Sequence, residues 1–119
     1  MNFTTEKAIY VQIADRLCDE ILTGKFADDE RIPSVREYAV LLEVNTNTTV
    51  KSYDLLEQQG VIYKKRGLGY FVTAGAKEKI LDERRREFME TRLPEMFRQM
   101  RLLGIGLEEV EKAWNGGGS

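Results

Sequence analysis

The stretch Ser34-Val35-Arg36-Glu37-Tyr38-Ala39-Val40-Leu41-Leu42-Glu43, followed by Val44-Asn45-Thr46-Asn47-Thr48-Thr49-Val50-Lys51, decides the fold. Ser34 with Glu37 three residues on is a capping box, in which each residue satisfies a free N–H near the other, so a helix starts at Ser34. Pro33 keeps any earlier element from running through it. The apolar positions Val35, Tyr38, Ala39, Leu41 and Leu42 end near Glu43, so the helix is short. Val44 to Thr49 is a run of cap and turn formers. Asn45 or Thr46 can cap a second helix, which reaches about Gln59 and ends at Gly60. Ala39 is the small residue that lets this second helix cross close to the first. Two short helices joined by a tight turn have helix-turn-helix spacing.

On the N-terminal side, Ile9, Ile13, Leu17 and Ile21 recur every four residues, and Val11, Ala14, Cys18 and Leu22 widen the stripe. That periodicity predicts a helix with one buried face, ending near Thr23 ahead of Gly24. Cys18 lies on this face and reads as a packed thiol. Residues 1–8 read as a short polar start that frays. Phe26 to Arg31 reads as a polar, acidic loop. On the C-terminal side, Val61 to Lys65 and Tyr70 to Thr73 are β-rich runs around Arg66-Gly67-Leu68-Gly69, a hairpin signature. A hairpin directly after the second helix makes a winged helix-turn-helix over residues 1–75.

From Ala76 the chain becomes strongly charged with sparse apolar positions. Residues 76–115 read as a long helix and a short one, with a kink or break near Thr91–Leu93 because Pro94 does not fit a helix interior. Arg84-Arg85-Arg86 sits among Asp82, Glu83, Glu87 and Glu90, which reads as a paired, solvated surface. The stripe Leu81, Phe88, Leu93, Met96, Phe97, Met100 and Leu103 is too apolar for an exposed single helix. It either folds back on the winged helix or pairs two subunits. Gly116 to Ser119 reads as a flexible tail. The expected fold class is therefore mainly α with a small β-hairpin wing, plus a short C-terminal helical segment for dimerisation.

Composition narrows the function. The chain has no histidine and one cysteine, which removes His-dependent nucleophilic triads, His-based zinc sites and an intrachain disulfide. No phosphate-cradling glycine loop and no framed carboxylate pair is present, so no catalytic residue, metal site or cofactor is expected. No run of about 20 apolar residues and no signal-peptide core is present, so no membrane partner is expected, and the cytoplasm is the expected location. The net charge of −2 argues mildly against a nucleic-acid binder. Position changes its meaning. Residues 15–30 hold six carboxylates against Arg16 and Lys25, whereas residues 46–74 hold Lys51, Lys64, Lys65 and Arg66 against Asp54 and Glu57.

The locally basic part carries a reading surface. In a helix-turn-helix the N-terminal residues of the second helix reach base edges in the major groove. Those are Thr46, Asn47 and Thr48, with Lys51 one turn on. Asn pairs bidentately with adenine, a threonine methyl packs on thymine, and Lys51 meets guanine or a phosphate. The bland alternative makes Thr46 to Thr48 capping residues only. Arg36 lies near the start of the preceding helix, within reach of the groove. Ser34 caps a helix N-terminus, where free N–H groups suit a phosphate. Tyr53 reads either as a phosphate contact or as a core aromatic. Lys65 and Arg66 sit at the wing beside Gly67 and Gly69, which let the backbone come close to DNA.

Several separate motifs, in order over residues 9–73, resemble the GntR family of bacterial transcription regulators. Tyr10-Val11-Gln12-Ile13 matches the family's opening. Ile32-Pro33-Ser34-Val35-Arg36-Glu37-Tyr38-Ala39 resembles its entry to the helix-turn-helix. Val44 to Thr48 and Tyr53 to Ile62 resemble its second helix and exit, and Arg66 to Val72 its wing. The short remainder is similar to the YtrA subfamily, which lacks a large effector domain. The resemblance implies a homodimeric DNA-binding regulator, paired through its C-terminal helices on a palindromic double-stranded operator. It implies a repressor, with a transporter operon as target, and a DNA contact at Arg36. No small-molecule effector is identifiable. Two positions depart from the family pattern. Glu43 stands where glycine is usual, and Thr49 replaces an aliphatic residue on the buried face. Thr49 is tolerable if its hydroxyl bonds back one turn; Val50 then projects partly outward. The competing class is a winged-helix protein-interaction or assembly module that binds no DNA.

Overall fold

The computed structural model describes residues 7–117. The frayed start expected for residues 1–8 therefore lies mostly outside the described residues. The elements run in the order α1 (Ile9–Leu22), α2 (Val35–Leu42), α3 (Thr46–Gln58), β1 (Ile62–Lys65), β2 (Gly69–Val72), α4 (Ala76–Glu87), α5 (Leu93–Leu103) and α6 (Leu107–Gly117). Contacts divide the chain between Leu81 and Asp82. That is later than the boundary expected after residue 75, because Ala76 and Ile80 at the start of α4 are buried in the core of the first unit.

In the first unit α1 buries Ile13, Ala14, Leu17, Cys18 and Ile21, one face of the helical stripe. These pack with Ile32, with Tyr38 and Leu42 of α2, with Tyr53 and Leu56 of α3, and with Val61, Ile62 and Val72 of the hairpin. The capping box at Ser34 is formed: the Ser34 hydroxyl accepts from the Glu37 N–H at 3.1 Å, and the Ser34 N–H donates to the Glu37 carboxylate at 2.9 Å. Ala39 is buried, as its role at the helix crossing requires.

The turn between α2 and α3 is a Schellman-type ending. Val44 N–H reaches back to the Ala39 carbonyl at 3.0 Å. It needs a left-handed residue, and Glu43 supplies it at φ 56° and ψ 47°. A non-glycine residue there costs about 1–2 kcal/mol, partly offset by the roughly 0.5–1 kcal/mol that glycine loses in chain entropy. Glu43→Gly is therefore expected to stabilise the protein by up to about 1 kcal/mol, a rise of roughly 4–8 °C in a thermal melt. An unchanged or lower melting temperature would show that the turn is not strained.

The hairpin pairs Ile62 with Val72, Tyr63 with Phe71, Lys64 with Tyr70 and Lys65 with Gly69. The acidic loop after α1 is more ordered than its composition suggests. Ile32 N–H bonds the Tyr70 carbonyl, Val72 N–H bonds the Glu30 carbonyl, and Arg31 bridges Phe71. The loop thus runs as an extra edge along β2.

The second unit is helical. α4 continues into a π-helical turn, Phe88–Arg92, which hands over to α5. Leu93 N–H bonds the Phe88 carbonyl, five residues back. The break expected near Thr91–Leu93 is instead this wider turn, placed just ahead of Pro94, so that the helix runs on past a residue that has no N–H to donate. Gly104 at φ 70° ends α5. The glycine tail expected from residue 116 also needs correction: α6 extends through Gly116 and Gly117, and residues 118–119 lie outside the described ones. Glycine weakens a helix by about 1 kcal/mol relative to alanine but does not forbid it at an end.

Candidate nucleic-acid interface

The exposed face at the start of α3 is built by its cap. The Asn45 side chain accepts from the Asn47 N–H at 2.7 Å, so Asn45 rather than Thr46 closes the helix. Thr46, Asn47, Val50 and Lys51 are exposed and Thr48 is half-buried. Among the described residues the Asn47 carboxamide has no hydrogen-bond partner. The side chains at the tip of α3 are thus not consumed by capping.

The opposite face of α3 fixes its pose. Thr49 is fully buried and its hydroxyl donates to the Asn45 carbonyl at 3.1 Å, the back-bond that its burial requires. Ser52 is also fully buried, and its hydroxyl reaches the Tyr10 carbonyl at 2.7 Å. That bond ties α3 to the start of α1. No motif announces Ser52; its signal in the sequence is a small polar residue on the buried side between Thr49 and Tyr53.

Tyr53 corrects an expectation. It is 1% exposed, its ring stands edge-on to Tyr70 at 5.0 Å, and its hydroxyl donates to the Pro33 carbonyl at 2.6 Å. Burial is the first cause holding its hydroxyl above the ordinary tyrosine range. Tyr53 supports the turn into α2 from below and is not available to a phosphate. Tyr53→Phe strands the Pro33 carbonyl, so it is expected to cost about 1–3 kcal/mol of stability with DNA affinity of the folded protein unchanged. Weaker DNA binding with an unaltered melting curve would restore the phosphate contact.

At the start of α2, Arg36 is exposed and Ser34 half-buried. The Ser34 hydroxyl oxygen accepts from the Glu37 N–H. The Glu37 carboxyl is held below its ordinary range, first by the Ser34 N–H, then by the Ser34 hydroxyl, with the Arg31 charge adding to both. A carboxylate therefore already occupies part of this helix N-terminus.

In the wing, Lys64 and Lys65 lie on opposite faces of the hairpin. The Lys64 ammonium sits 5.7 Å from the Tyr70 ring centre, and the Lys65 ammonium 4.6 Å from that of Phe71. Lys65 thus folds back along the hairpin, and Arg66 is the cation at the tip. Gly67 and Gly69 adopt φ 77° and 108°. Leu68, between them, is 60% exposed and makes the tip apolar. α3 and the wing belong to one unit, so Arg36, Thr46, Asn47, Thr48, Lys51 and the wing cations are carried on a common support.

In the second unit, the expected pairing residues divide. Phe88, Met96 and Leu103 are 49%, 40% and 72% exposed, and Leu93 and Phe97 are half-buried. Leu81, 43% exposed, belongs to the first unit. Met100 is buried in the single chain, which corrects its place in the stripe. Leu102 of α5 and Leu107 and Trp114 of α6 are 70–79% exposed as well.

A winged helix-turn-helix with an unspent polar helix tip and a cationic wing is the fold of a DNA-binding regulator. Residues 9–72 match the family described as bacterial regulatory proteins, gntR family. The chain is 33% identical over 109 residues to the HTH-type transcriptional regulator YhcF of Bacillus subtilis (strain 168), covering 92% of this chain and 88% of YhcF. It is 30% identical over 104 residues to the HTH-type transcriptional repressor YtrA of the same organism, covering 87% and 79%. A crystal structure of a GntR-family regulator from Bacteroides thetaiotaomicron matches with a TM-score of 0.80 and 50% identity, over 91% of this chain and 94% of that one. The chain belongs to the GntR family of bacterial transcription regulators. That places it among DNA-binding regulators, not enzymes, and sets aside the adaptor reading. No helix of the described residues is long and apolar enough to cross a membrane.

Proposed function

We propose that two copies of this chain pair through the helices after Asp82 and bind a palindromic operator, repressing transcription. In this reading the α3 tip enters the major groove, with Asn47 on adenine, Thr46 and Thr48 on thymine methyls or phosphates, and Lys51 on guanine or phosphate. Arg36 and Ser34 approach from α2, and Arg66 with the glycine-flanked wing tip reaches the adjacent backbone or minor groove. The observation that carries the reading is the α3 N-terminus, where Asn45 does the capping and Thr46, Asn47 and Lys51 stand free in solvent. The exposed Phe88, Met96, Leu103, Leu107 and Trp114 support pairing, since covering large apolar side chains takes their surface out of water. The similarity to a protein named as a repressor supports repression; the resemblance in the sequence extends the proposal to a transporter operon as target and the cytoplasm as place of action.

Hydroxyl-radical footprinting on the promoter upstream of the chain's own gene tests this, together with sedimentation of the complex. Two protected patches about one helical turn apart, with two chains per duplex, are expected. One patch with one chain would overturn the dimeric mode.

A further inference from the structure

We propose that Arg31 is an additional phosphate contact, seated against Gly69 between the wing and the start of α2. The inference rests on the DNA-binding mode proposed above. Three observations lead to it. Arg31 is bridged to Phe71, so its backbone is fixed to the outer edge of β2 rather than left in a loop. Its guanidinium lies across the Gly69 backbone: a Cβ added at Gly69 would come within 3.2 Å of Nε and 3.6 Å of Nη2. Its charge also reaches Glu37 in the first turn of α2. Arg31 therefore stands between the wing and the start of α2, both of which carry proposed DNA contacts.

The side chain is exposed, and among the described residues no carboxylate forms an ion pair with it. Glu37 is committed to the Ser34 N–H instead. A guanidinium resting beside the Gly69 backbone, exposed and without an ion-pair partner among the described residues, has no carboxylate to give up before it meets an anion. Phosphate fits the guanidinium fork bidentately. This also gives Gly69 a second role. Besides adopting φ 108°, it leaves the space that the Arg31 side chain uses. The contact is to backbone, so it adds affinity without sequence preference.

The test uses the whole chain and a duplex selected by it from a random pool, with a scrambled duplex as control. Affinities of wild type, Arg31→Ala, Arg31→Lys and Asn47→Ala are measured across a range of salt. Arg31→Ala is expected to lower the slope of log affinity against log salt by about 0.9 per chain, and to weaken both duplexes by roughly fivefold per chain at about 0.15 M salt. Arg31→Lys, which keeps the charge, is expected to restore most of the slope. A residue that merely braced the wing would shift the melting temperature and leave the slope alone. An unchanged slope in Arg31→Ala, with Asn47→Ala still losing discrimination between the duplexes, overturns the Arg31 contact alone. An unchanged slope together with an unaffected Asn47→Ala overturns the binding mode, and the inference with it.

Discussion

Replacing Asn47 by alanine is expected to weaken binding to a selected operator by about tenfold or more while leaving the affinity for scrambled DNA almost unchanged. A bidentate Asn–adenine pair contributes about 1–3 kcal/mol of discrimination, and a two-fold complex makes it twice. The substitution should not unravel α3. The Asn47 backbone N–H, which the Asn45 cap uses, is retained, and the Asn47 side chain is exposed. Arg36→Ala, at the start of α2, is expected to reduce affinity as well. A binding titration on both duplexes, with helical content checked by circular dichroism, reads the result. Unchanged affinity in both variants would remove α3 and α2 from the reading surface. An equal loss on both duplexes for Asn47→Ala would make it a backbone contact.

The second large effect is on assembly. Leu103→Asp is expected to convert the proposed dimer to monomer at micromolar concentration and to reduce operator affinity by about a hundredfold or more. Leu103 is 72% exposed in the single chain, so aspartate there does little harm to the chain's own packing. In a two-fold interface the same carboxylate is buried twice, and each unpaired charge costs several kcal/mol. Met96→Asp, at 40% exposure, should act in the same direction. Met100 is a poor test site, because its burial would make Met100→Asp a folding variant. Sedimentation equilibrium distinguishes the outcomes; an unaltered dimer in both Leu103→Asp and Met96→Asp would place the subunit contact elsewhere.

What the sequence made legible was local. The Ser34–Glu37 capping box, the glycine after α1 and the hairpin glycines each rest on residues a few positions apart, and each stands in the structure as read. Glu43 could be flagged as a turn residue out of pattern, and its φ of 56° carries that through. The misses share a cause: their deciding partner is distant in sequence. Tyr53 is amphipathic, and only the Pro33 carbonyl, 20 residues earlier, settles which of its two ends matters. Ser52 depends on Tyr10, 42 residues away. The loop at Arg31 reads as irregular until β2 arrives beside it, because an acidic run carries no alternation to announce an edge. Met100 and Leu103 look alike in the apolar stripe, yet one is buried and the other open. Gly116 and Gly117 show the reverse failure, where composition suggests a tail but the amphipathic spacing of Leu107, Val110 and Trp114 carries the helix on.

The central claim is sequence-specific recognition of duplex DNA by the α3 tip. Its most direct test is the ratio of affinities of the unmodified protein for the selected duplex and for the scrambled one, measured in the same buffer at about 0.15 M salt. The predicted ratio is about a thousandfold or greater, the range of specific protein–DNA complexes. Affinities equal within about threefold would contradict it, because electrostatic attraction alone would then account for the binding.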